Sequence, residues 1–316
     1  MNSARCNVVL PGEGSKHWAL TDLVSTYVTA EQSGGAYSVI ETVAQPGGGP
    51  PPHRHNREDE IFYILEGSFE MLLGEQTFTA STGESIFLPR GVVHTFRNIG
   101  AAPGRILVVT VPGGFDAFVA DAGVPCADPA AVPQVTQAAI EKLQAACARH
   151  GLEIDPHWQP KRSAPAAAKP RELWVLGLHI RLLLLKEQTN GSFSVAQITA
   201  HPGNFVPPHR HKLEDEIFYV VEGTAEFELE GRTITAEAGT LIHIPRGCVH
   251  GFRNTTQRPV RLANFHTPGG FDRFFAECGI ECRDLDQGPP DIEPDMEQFA
   301  AICRKHGMEL AVPATV

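Results

Sequence analysis

The chain has 316 residues, which predicts two domains at about 150 residues per domain. Its 26 Lys and Arg against 37 Asp and Glu give a formal net charge of −11, which argues against a protein that binds nucleic-acid phosphates. Its 30 glycines, 25 prolines and 42% hydrophobic residues exclude collagen-like and disordered chains and favour two β-rich domains.

The sequence shows no targeting or membrane segment. No basic stretch followed by an apolar run opens the chain, and no apolar run approaches the roughly 18 residues of a transmembrane helix. The seven cysteines are an odd number and do not suggest a disulfide scaffold. We therefore predict a cytoplasmic protein without a membrane or nucleic-acid partner.

Short β-prone runs alternate with turn residues through the first half of the chain. The predicted strands are 37–43, 61–65, 69–73, 76–80, 85–88, 94–98 and 105–111. Many short strands separated by Gly and Pro are typical of a sandwich or barrel. Two predicted helices follow, at 115–122 and 134–150, and Gly151 suits the cap after the second helix.

The second half repeats the first at an offset of 156 residues. Residues 203–223 match 47–67 at 14 of 21 positions, and residues 239–254 match 83–98 at 10 of 16. The predicted helices recur at 271–277 and 296–306. Because the repeat is far longer than a solenoid unit, it indicates duplication of a whole domain. The predicted organisation is a domain at 1–155, a Pro/Ala-rich linker at 156–170 and a domain at 171–316.

Each half contains three histidines and one glutamate at matching positions. His53 and His55 are two residues apart, so on a strand they point to the same face, and Glu60 and His94 follow. Inside a barrel, three imidazoles and one carboxylate form a site for a divalent transition metal. The second half repeats the set as His209, His211, Glu216 and His250.

These positions complete two motifs, and with them the chain resembles a bicupin. The motif G-x5-H-x-H-x4-E-x6-G spans 47–67 and 203–223, and G-x5-P-x-G-x2-H-x3-N spans 83–98 and 239–254. The resemblance implies an all-β fold of two tandem cupin domains, each a double-stranded β-helix or jelly-roll barrel with a short C-terminal helical tail. It also implies a metal in each domain, drawn from Fe, Mn, Ni, Cu, Co and Zn.

The sequence segments PPHRH, EDEIFY, PRGxxHxFRN and PGGFD are similar to those of the quercetin 2,3-dioxygenase-like group of cupins. This resemblance implies a metal-dependent dioxygenase that cleaves an aromatic or enolisable, flavonol-like small molecule with O₂. Glu60 and Glu216 are then expected to act as general bases as well as ligands. The oligomeric state is expected to be a monomer or homodimer.

Two other functions fit the same residues. One is a metal cupin that is not an oxygenase, such as an isomerase or a decarboxylase. The oxalate decarboxylase group ranks lower here because no segment is recognised as its glutamate-bearing lid. The other is a bicupin that binds a small molecule without turning it over.

The two halves differ at a few positions near the expected ligands. Val108 and Thr110 share a strand face, and the second half has Asn264 and His266 in their places. If this face points inward, the second pocket is more polar than the first and the two sites serve different ligands. Phe62 and Phe96 are also expected inside the first barrel, either as ordinary core or as the lining of a pocket for a planar substrate.

Overall fold

The computed structural model describes residues 5–163, 169–293 and 295–311. The chain divides into two compact units, Glu13–Ala168 and Met1–Gly12 together with Lys169–Val316. Each unit consists mainly of antiparallel strands followed by short helices, which confirms the predicted fold class. No helix in the described ranges is long and apolar enough to cross a membrane.

Strand β1 (Asn7–Val9) opens the chain, and the elements of the unit Glu13–Ala168 follow. Its strands are β2 (Ser15–Ala19), β3 (Asp22–Val28), β4 (Ser38–Ala44), β5 (His53–His55), β6 (Asp59–Glu66), β7 (Ser68–Leu73), β8 (Gln76–Ser81), β9 (Ser85–Leu88), β10 (His94–Asn98), β11 (Gly104–Val111), β12 (Val124–Pro125), β13 (Leu152–Ile154) and β14 (Arg162–Ser163). Its helices are α1 (Phe115–Ala122) and α2 (Gln137–His150).

Two sheets form this N-terminal unit. The seven-stranded sheet has the order β12-β2-β3-β4-β11-β6-β9, and the six-stranded sheet has the order β13-β5-β10-β7-β8-β14. Inward side chains such as Ile64, Phe69 and Ile106 are fully buried in one apolar core. Helices α1 and α2 add Phe118 and Cys147 to that core, so the tail closes the barrel instead of extending from it.

The second unit repeats this architecture. Its strands are β15 (Arg171–Val175), β16 (Leu178–Leu184), β17 (Ser194–Ala200), β18 (Phe205–His211), β19 (Asp215–Glu222), β20 (Thr224–Leu229), β21 (Arg232–Glu237), β22 (Leu241–Ile244), β23 (His250–Arg253), β24 (Val260–Thr267), β25 (Ile280–Glu281) and β26 (Met308–Leu310). Its helices are α3 (Asp272–Cys278) and α4 (Met296–Lys305), with 3₁₀ turns at Lys186–Thr189 and Leu285–Gln287.

Strand β1 belongs to this second unit, which differs from the predicted boundary at residue 1. Its antiparallel register runs from Asn7 opposite His243 to Val9 opposite Leu241, so β1 covers the edge strand β22 of an eight-stranded sheet. Val8 also packs against the apolar core of that unit. Covering an edge strand satisfies backbone groups that would otherwise face solvent, and this long-range pairing leaves no signal in the local sequence.

The segment predicted as a linker, 156–170, is partly packed. The Trp158 indole donates a hydrogen bond to the Gly74 carbonyl at 2.8 Å, and β14 pairs in parallel with β8. Residues 164–168 lie outside the described ranges. Strand β3 was not predicted, because it is buried on both faces and therefore lacks the alternation of polar and apolar residues that marks a half-buried strand.

Helix ends follow the local capping chemistry. Helix α2 begins at Gln137 and not at the predicted 134, because the Thr136 side chain accepts a hydrogen bond from the Ala139 amide. Gly151 adopts the left-handed conformation after its last turn, as predicted. Asp295 caps α4 in the same way as Thr136 caps α2.

Removal of residues 1–10 should loosen the second unit at β22. The deletion takes away β1 and exposes the backbone groups of Leu241–Ile244, so amide hydrogen exchange there should accelerate. The matched internal control is β9 (Ser85–Leu88), the counterpart of β22 in the other unit, where exchange should stay constant. Equal protection of β22 with and without β1 would contradict this assignment.

Candidate metal centres

The N-terminal site lies where β5, β6 and β10 meet. His53 stands opposite His94 in the β5–β10 register, and the ring centroids of His53, His55 and His94 lie 4.6–5.2 Å apart. The Nε2 atoms of His94 and His55 lie 3.2 and 3.9 Å from Glu60 Oε2. The structure therefore brings together the four side chains that the motifs predicted as ligands in this unit.

Backbone carbonyls fix the tautomers of two of these histidines. His53 Nδ1 lies 3.0 Å from the Pro51 carbonyl oxygen, and His94 Nδ1 lies 2.9 Å from that of Val92. Because a carbonyl only accepts, each Nδ1 carries a proton, and Nε2 is the ring atom turned to the site. His94 Nε2 faces Glu60 Oε2 at 3.2 Å, an arrangement that requires a proton or a metal cation between the two atoms.

The C-terminal site repeats this geometry with closer contacts. His250 Nε2 lies 2.6 Å from Glu216 Oε2, and His211 Nε2 lies 3.5 Å from the same oxygen. His209 Nε2 and His211 Nε2 are 3.2 Å apart. The Nδ1 atoms of His209 and His250 again face carbonyl oxygens, those of Pro207 and Cys248, at 2.9 and 3.1 Å.

Both sites leave buried polar atoms without hydrogen-bond partners among the described residues. These atoms include His55 Nε2, His94 Nε2 and Glu60 Oε2 in one unit, and His250 Nε2 and Glu216 Oε2 in the other. Such atoms destabilise a fold unless a partner satisfies them, and imidazole nitrogens with a carboxylate are the donor set of a divalent transition metal. The residues present thus fit a metal ion in each unit.

Burial and mutual charge hold several of the ligands in the protonation state that binds metals. For His55 and His250, burial acts to lower the pKa, but the neighbouring glutamates outweigh it and raise the pKa of both. Burial lowers the pKa of His53 and His209 well below the ordinary value, and it lowers the pKa of His211 to about 3. Burial acts to raise the pKa of Glu216, but the neighbouring His211 and His250 outweigh it and hold that pKa well below its usual range. Neutral imidazoles and an ionised carboxylate are the forms that coordinate a cation.

Two buried carboxylates behind the ligands were missed at the sequence level. Glu58 Oε2 lies 3.6 Å from His55 Nδ1, and Glu214 Oε2 lies 3.7 Å from His211 Nδ1. Carboxylates on the far nitrogen of a ligating histidine orient the ring and raise its basicity. The signal was present in the sequence as the glutamate three residues after the second histidine of each motif.

The face that carries Asn264 and His266 points inward. Asn264 Nδ2 donates a hydrogen bond to Glu216 Oε1 at 2.9 Å, and His266 Nε2 lies 3.1 Å from the same oxygen. Both side chains are buried. The N-terminal unit has Val108 and Thr110 at these places, so Glu60 lacks both of these contacts. The second site is therefore the more polar one, with a fourth imidazole beside its carboxylate.

The cavities beside the two sites differ in size. The N-terminal cavity measures about 190 Å³ and is lined by His53, Glu60 and apolar side chains that include Phe62 and Phe96. The C-terminal cavity measures about 70 Å³. Phe275 and Phe299 line the smaller cavity where the larger one has Val119 and Leu143, so aromatic rings fill the space.

Asp22 is a carboxyl group in the mainly apolar lining of the larger cavity. It lines that cavity with 7% of its surface exposed, and its Oδ1 atom has no hydrogen-bond partner among the described residues. Burial raises the pKa of Asp22 to about 7. Leu178 occupies the corresponding place in the C-terminal cavity.

Four arginines recur at matching positions of the two units and lie outside both cavities. Arg54 pairs with Glu153 at the surface, and Arg90 pairs with Asp59 at 2.9 Å. Arg210 and Arg246 repeat these pairs with Glu309 and Asp215. They stabilise the strands that carry the ligands and do not form a clamp for a substrate carboxylate.

Comparison with known families decides what these two barrels are. The family model for the cupin domain matches residues 40–110 and 196–266, which contain all eight of the predicted metal ligands. The chain is a bicupin. Its two units therefore correspond to two complete cupin domains in tandem, as the repeated motifs predicted.

Relatives of the bicupin include named enzymes. It is 22% identical to quercetin 2,3-dioxygenase of Bacillus subtilis (strain 168), over 85% of this chain and 84% of that protein. It is 36% identical to quercetin 2,3-dioxygenase of Aspergillus japonicus, over 30% of this chain and 29% of that protein. The crystal structure of Lactobacillus farciminis oxalate decarboxylase as its formate complex superposes with a TM-score of 0.61 and 16% identity, over 95% of this chain and 97% of that one. This last likeness shows the shared fold.

We expect the purified protein to bind two equivalents of a divalent transition metal. His94→Ala should reduce this to one equivalent by emptying the N-terminal site, and His250→Ala should do the same at the C-terminal site. Metal analysis after dialysis measures the stoichiometry. The control variant Arg54→Ala removes a surface ion pair and should still bind two equivalents of metal. Full occupancy in both histidine variants would contradict the assigned ligands.

Asp22 should make the stability of the protein depend on pH. The folded chain holds a proton on Asp22 up to about pH 7, whereas an unfolded aspartate releases it at about pH 3.9. The folded state thus loses stability relative to Asp22→Asn as pH rises through that window, by about 1.4 kcal/mol per pH unit. Urea denaturation of both proteins between pH 4.5 and 6.5 tests this. Parallel pH profiles of the two proteins would contradict it.

Proposed function

We propose that this bicupin is a metal-dependent dioxygenase whose N-terminal site cleaves an aromatic or enolisable, flavonol-like substrate with O₂. The observation that carries the proposal is the apolar cavity of about 190 Å³ that opens directly onto His53 and Glu60. Concave, largely apolar pockets with a few polar groups are typical binding sites for planar small molecules. The two quercetin 2,3-dioxygenases among its relatives support the same reaction class.

His53, His55, Glu60 and His94 would hold the metal, which is Fe, Mn, Ni, Cu, Co or Zn. When bound, such an ion supplies Lewis acidity and, if it is redox-active, a route for electrons to O₂. His209, His211, Glu216 and His250 would hold a second ion in the other unit. The chain itself must bind the substrate, orient it and remove a proton from it.

Glu60 is proposed as the group that takes this proton. Its Oε2 atom faces His55 and His94 and would bind the metal, and the carboxylate lacks the side-chain contacts that Asn264 and His266 make with Glu216. An enol or phenol hydroxyl of the substrate can therefore donate its proton to this carboxylate, which leaves an electron-rich anion. Burial raises the pKa of Glu60, but His55 and His94 outweigh that effect and keep the carboxyl ionised and ready to accept.

Glu216 is proposed as a ligand without the role of a base. Asn264 and His266 both contact its Oε1 atom, so the carboxylate is fixed, and the adjoining cavity is small. A base must move toward the proton that it abstracts or already lie within hydrogen-bond reach of it. We therefore assign catalysis to the N-terminal site and a structural metal to the C-terminal site.

The aromatic wall of the N-terminal cavity suits a planar substrate. Phe62 and Phe96 meet edge to face with ring centroids 5.7 Å apart, and Phe115 lies 5.0 Å from the ring of His55. Such a wall favours ring stacking and keeps water away from a reactive anion. No Lys or Arg is among the described residues that line this cavity, so a small dianion such as oxalate would find no counter-charge from side chains there.

Oxygen uptake tests the proposed reaction. The metal-loaded protein should consume O₂ with a flavonol such as quercetin, and Glu60→Gln should lower kcat by about 10²–10⁴-fold because it removes the base. The matched variant Glu216→Gln should cause a far smaller loss of kcat. Metal content is measured for each variant, so that loss of the ion is separated from loss of the base.

Other outcomes would replace this proposal with a different one. Turnover that proceeds without O₂ would show an isomerase or decarboxylase. Tight retention of a small molecule without turnover would show a binding protein. Equal losses of kcat in the two glutamate variants would contradict the assignment of catalysis to the N-terminal site.

We also propose a reducing, cytoplasmic setting and a monomeric or homodimeric state. The seven cysteines all lie in the described ranges, and no disulfide joins any of them. Free cysteines are the rule in reducing compartments.

A further inference from the structure

Asp22 is a buried carboxyl group that forms no hydrogen bond or ion pair with any described residue. It begins β3 and shares its inward face with Val24, and both side chains line the N-terminal cavity. A Cβ atom built on Gly48 would lie 2.9 Å from Asp22 Oδ1, so the backbone before His53 covers this oxygen closely. Yet Oδ1 accepts no hydrogen bond from any described residue.

The strand register places Asp22 far from the metal ligands within the same cavity. In the strand register, Glu60 pairs with Thr110, and Thr110 pairs with Ser38 at the start of β4. Leu23 pairs with Val43 near the end of β4, so Asp22 is level with that other end. The cavity thus runs along β4, with the metal ligands near one end and Asp22 near the other.

The duplicated unit shows that the fold does not need a carboxyl group here. Leu178 fills the equivalent position, is buried to a similar degree and belongs to the apolar core of its unit. Thr42, which also lines the larger cavity, corresponds in the same way to Ile198. The N-terminal unit therefore carries polar groups at the far end of its cavity where the C-terminal unit carries aliphatic ones.

A fold with an unpartnered buried carboxyl group is less stable than the same fold with a leucine at that position. The carboxyl group has lost its hydration and gained no hydrogen bond. Such a group fits a ligand that supplies the missing hydrogen bond. Apart from Thr21, Thr42 and the metal-site residues His53 and Glu60, the rest of the described wall is apolar and contains no Lys or Arg, which favours a neutral donor such as a hydroxyl group.

We propose that Asp22 is a specificity-determining residue that accepts a hydrogen bond from a hydroxyl group at the end of the substrate remote from the metal. The substrate class is then narrower than any flavonol-like molecule. It is an elongated, mostly apolar molecule that presents its reacting group to Glu60 and a distal hydroxyl group to Asp22. This inference rests on the proposed function, because it takes the N-terminal cavity as the substrate pocket.

The test compares two fluorescent probes that differ by one hydroxyl group, 2-naphthol and naphthalene. Both are titrated into the metal-loaded, full-length protein without turnover. The wild type should bind 2-naphthol more tightly than naphthalene. Asp22→Leu, which installs the residue of the second unit, should reduce that preference by about tenfold. Asp22→Asn keeps an acceptor oxygen and should retain part of the preference.

Each result bears on Asp22 independently of the oxygenase reaction. Equal preference for 2-naphthol in the wild type and Asp22→Leu would overturn the proposal, as would failure of the wild type to bind 2-naphthol. Loss of folding in Asp22→Leu or Asp22→Asn would also overturn it, since it would show a structural role. Absence of O₂ uptake with any flavonol would overturn the proposed function, while the probe titrations would still decide the role of Asp22.

Discussion

A carboxylate buried among imidazoles is the interaction on which the rest of each unit depends. Glu60 and Glu216 are almost completely buried, and burial of a charge is costly unless opposite charge or hydrogen bonds compensate. The barrel meets this requirement by aligning ligands from separate strands, with His94 opposite His53 and His250 opposite His209. Carbonyls then fix the tautomers. What remains is a set of nitrogen and oxygen atoms that converge and require a proton or a metal cation between them, and this is the chemistry of a metal site.

Duplication kept this arrangement and changed its surroundings. In the C-terminal unit, Asn264 and His266 contact the carboxylate, and Phe275 and Phe299 occupy the space beside it. In the N-terminal unit, Val108 leaves the carboxylate without that donor, and a larger apolar cavity opens beside it. The same ligand set is thus enclosed by side-chain contacts in one unit and borders a larger cavity in the other. The proposed division into a structural and a catalytic centre rests on these differences in packing and not on the ligands.

Much of the site could be predicted because its ligands are tied to short motifs. A spacing of two residues places His53 and His55 on one strand face, and the 156-residue repeat shows that both ligand sets are complete. The strands between the motifs followed from turn residues and alternation. Strand β3 was not predicted because it is buried on both faces. The glutamates behind the ligands, Glu58 and Glu214, were not predicted either. A carboxylate beside a motif cannot be distinguished from a solvated one until its burial is known.

By itself, the sequence determined that the chain holds two copies of one all-β domain, each with three histidines and a glutamate at matching positions, since spacing and strand periodicity are local properties. The tertiary structure decided the features that depend on contacts between distant segments. It placed β1 in the second unit through pairing with β22, turned Asn264 and His266 toward Glu216, and left Asp22 buried at the far end of one cavity. Burial and register are properties of the packed barrel, and these properties separate the two sites that the sequence made nearly identical.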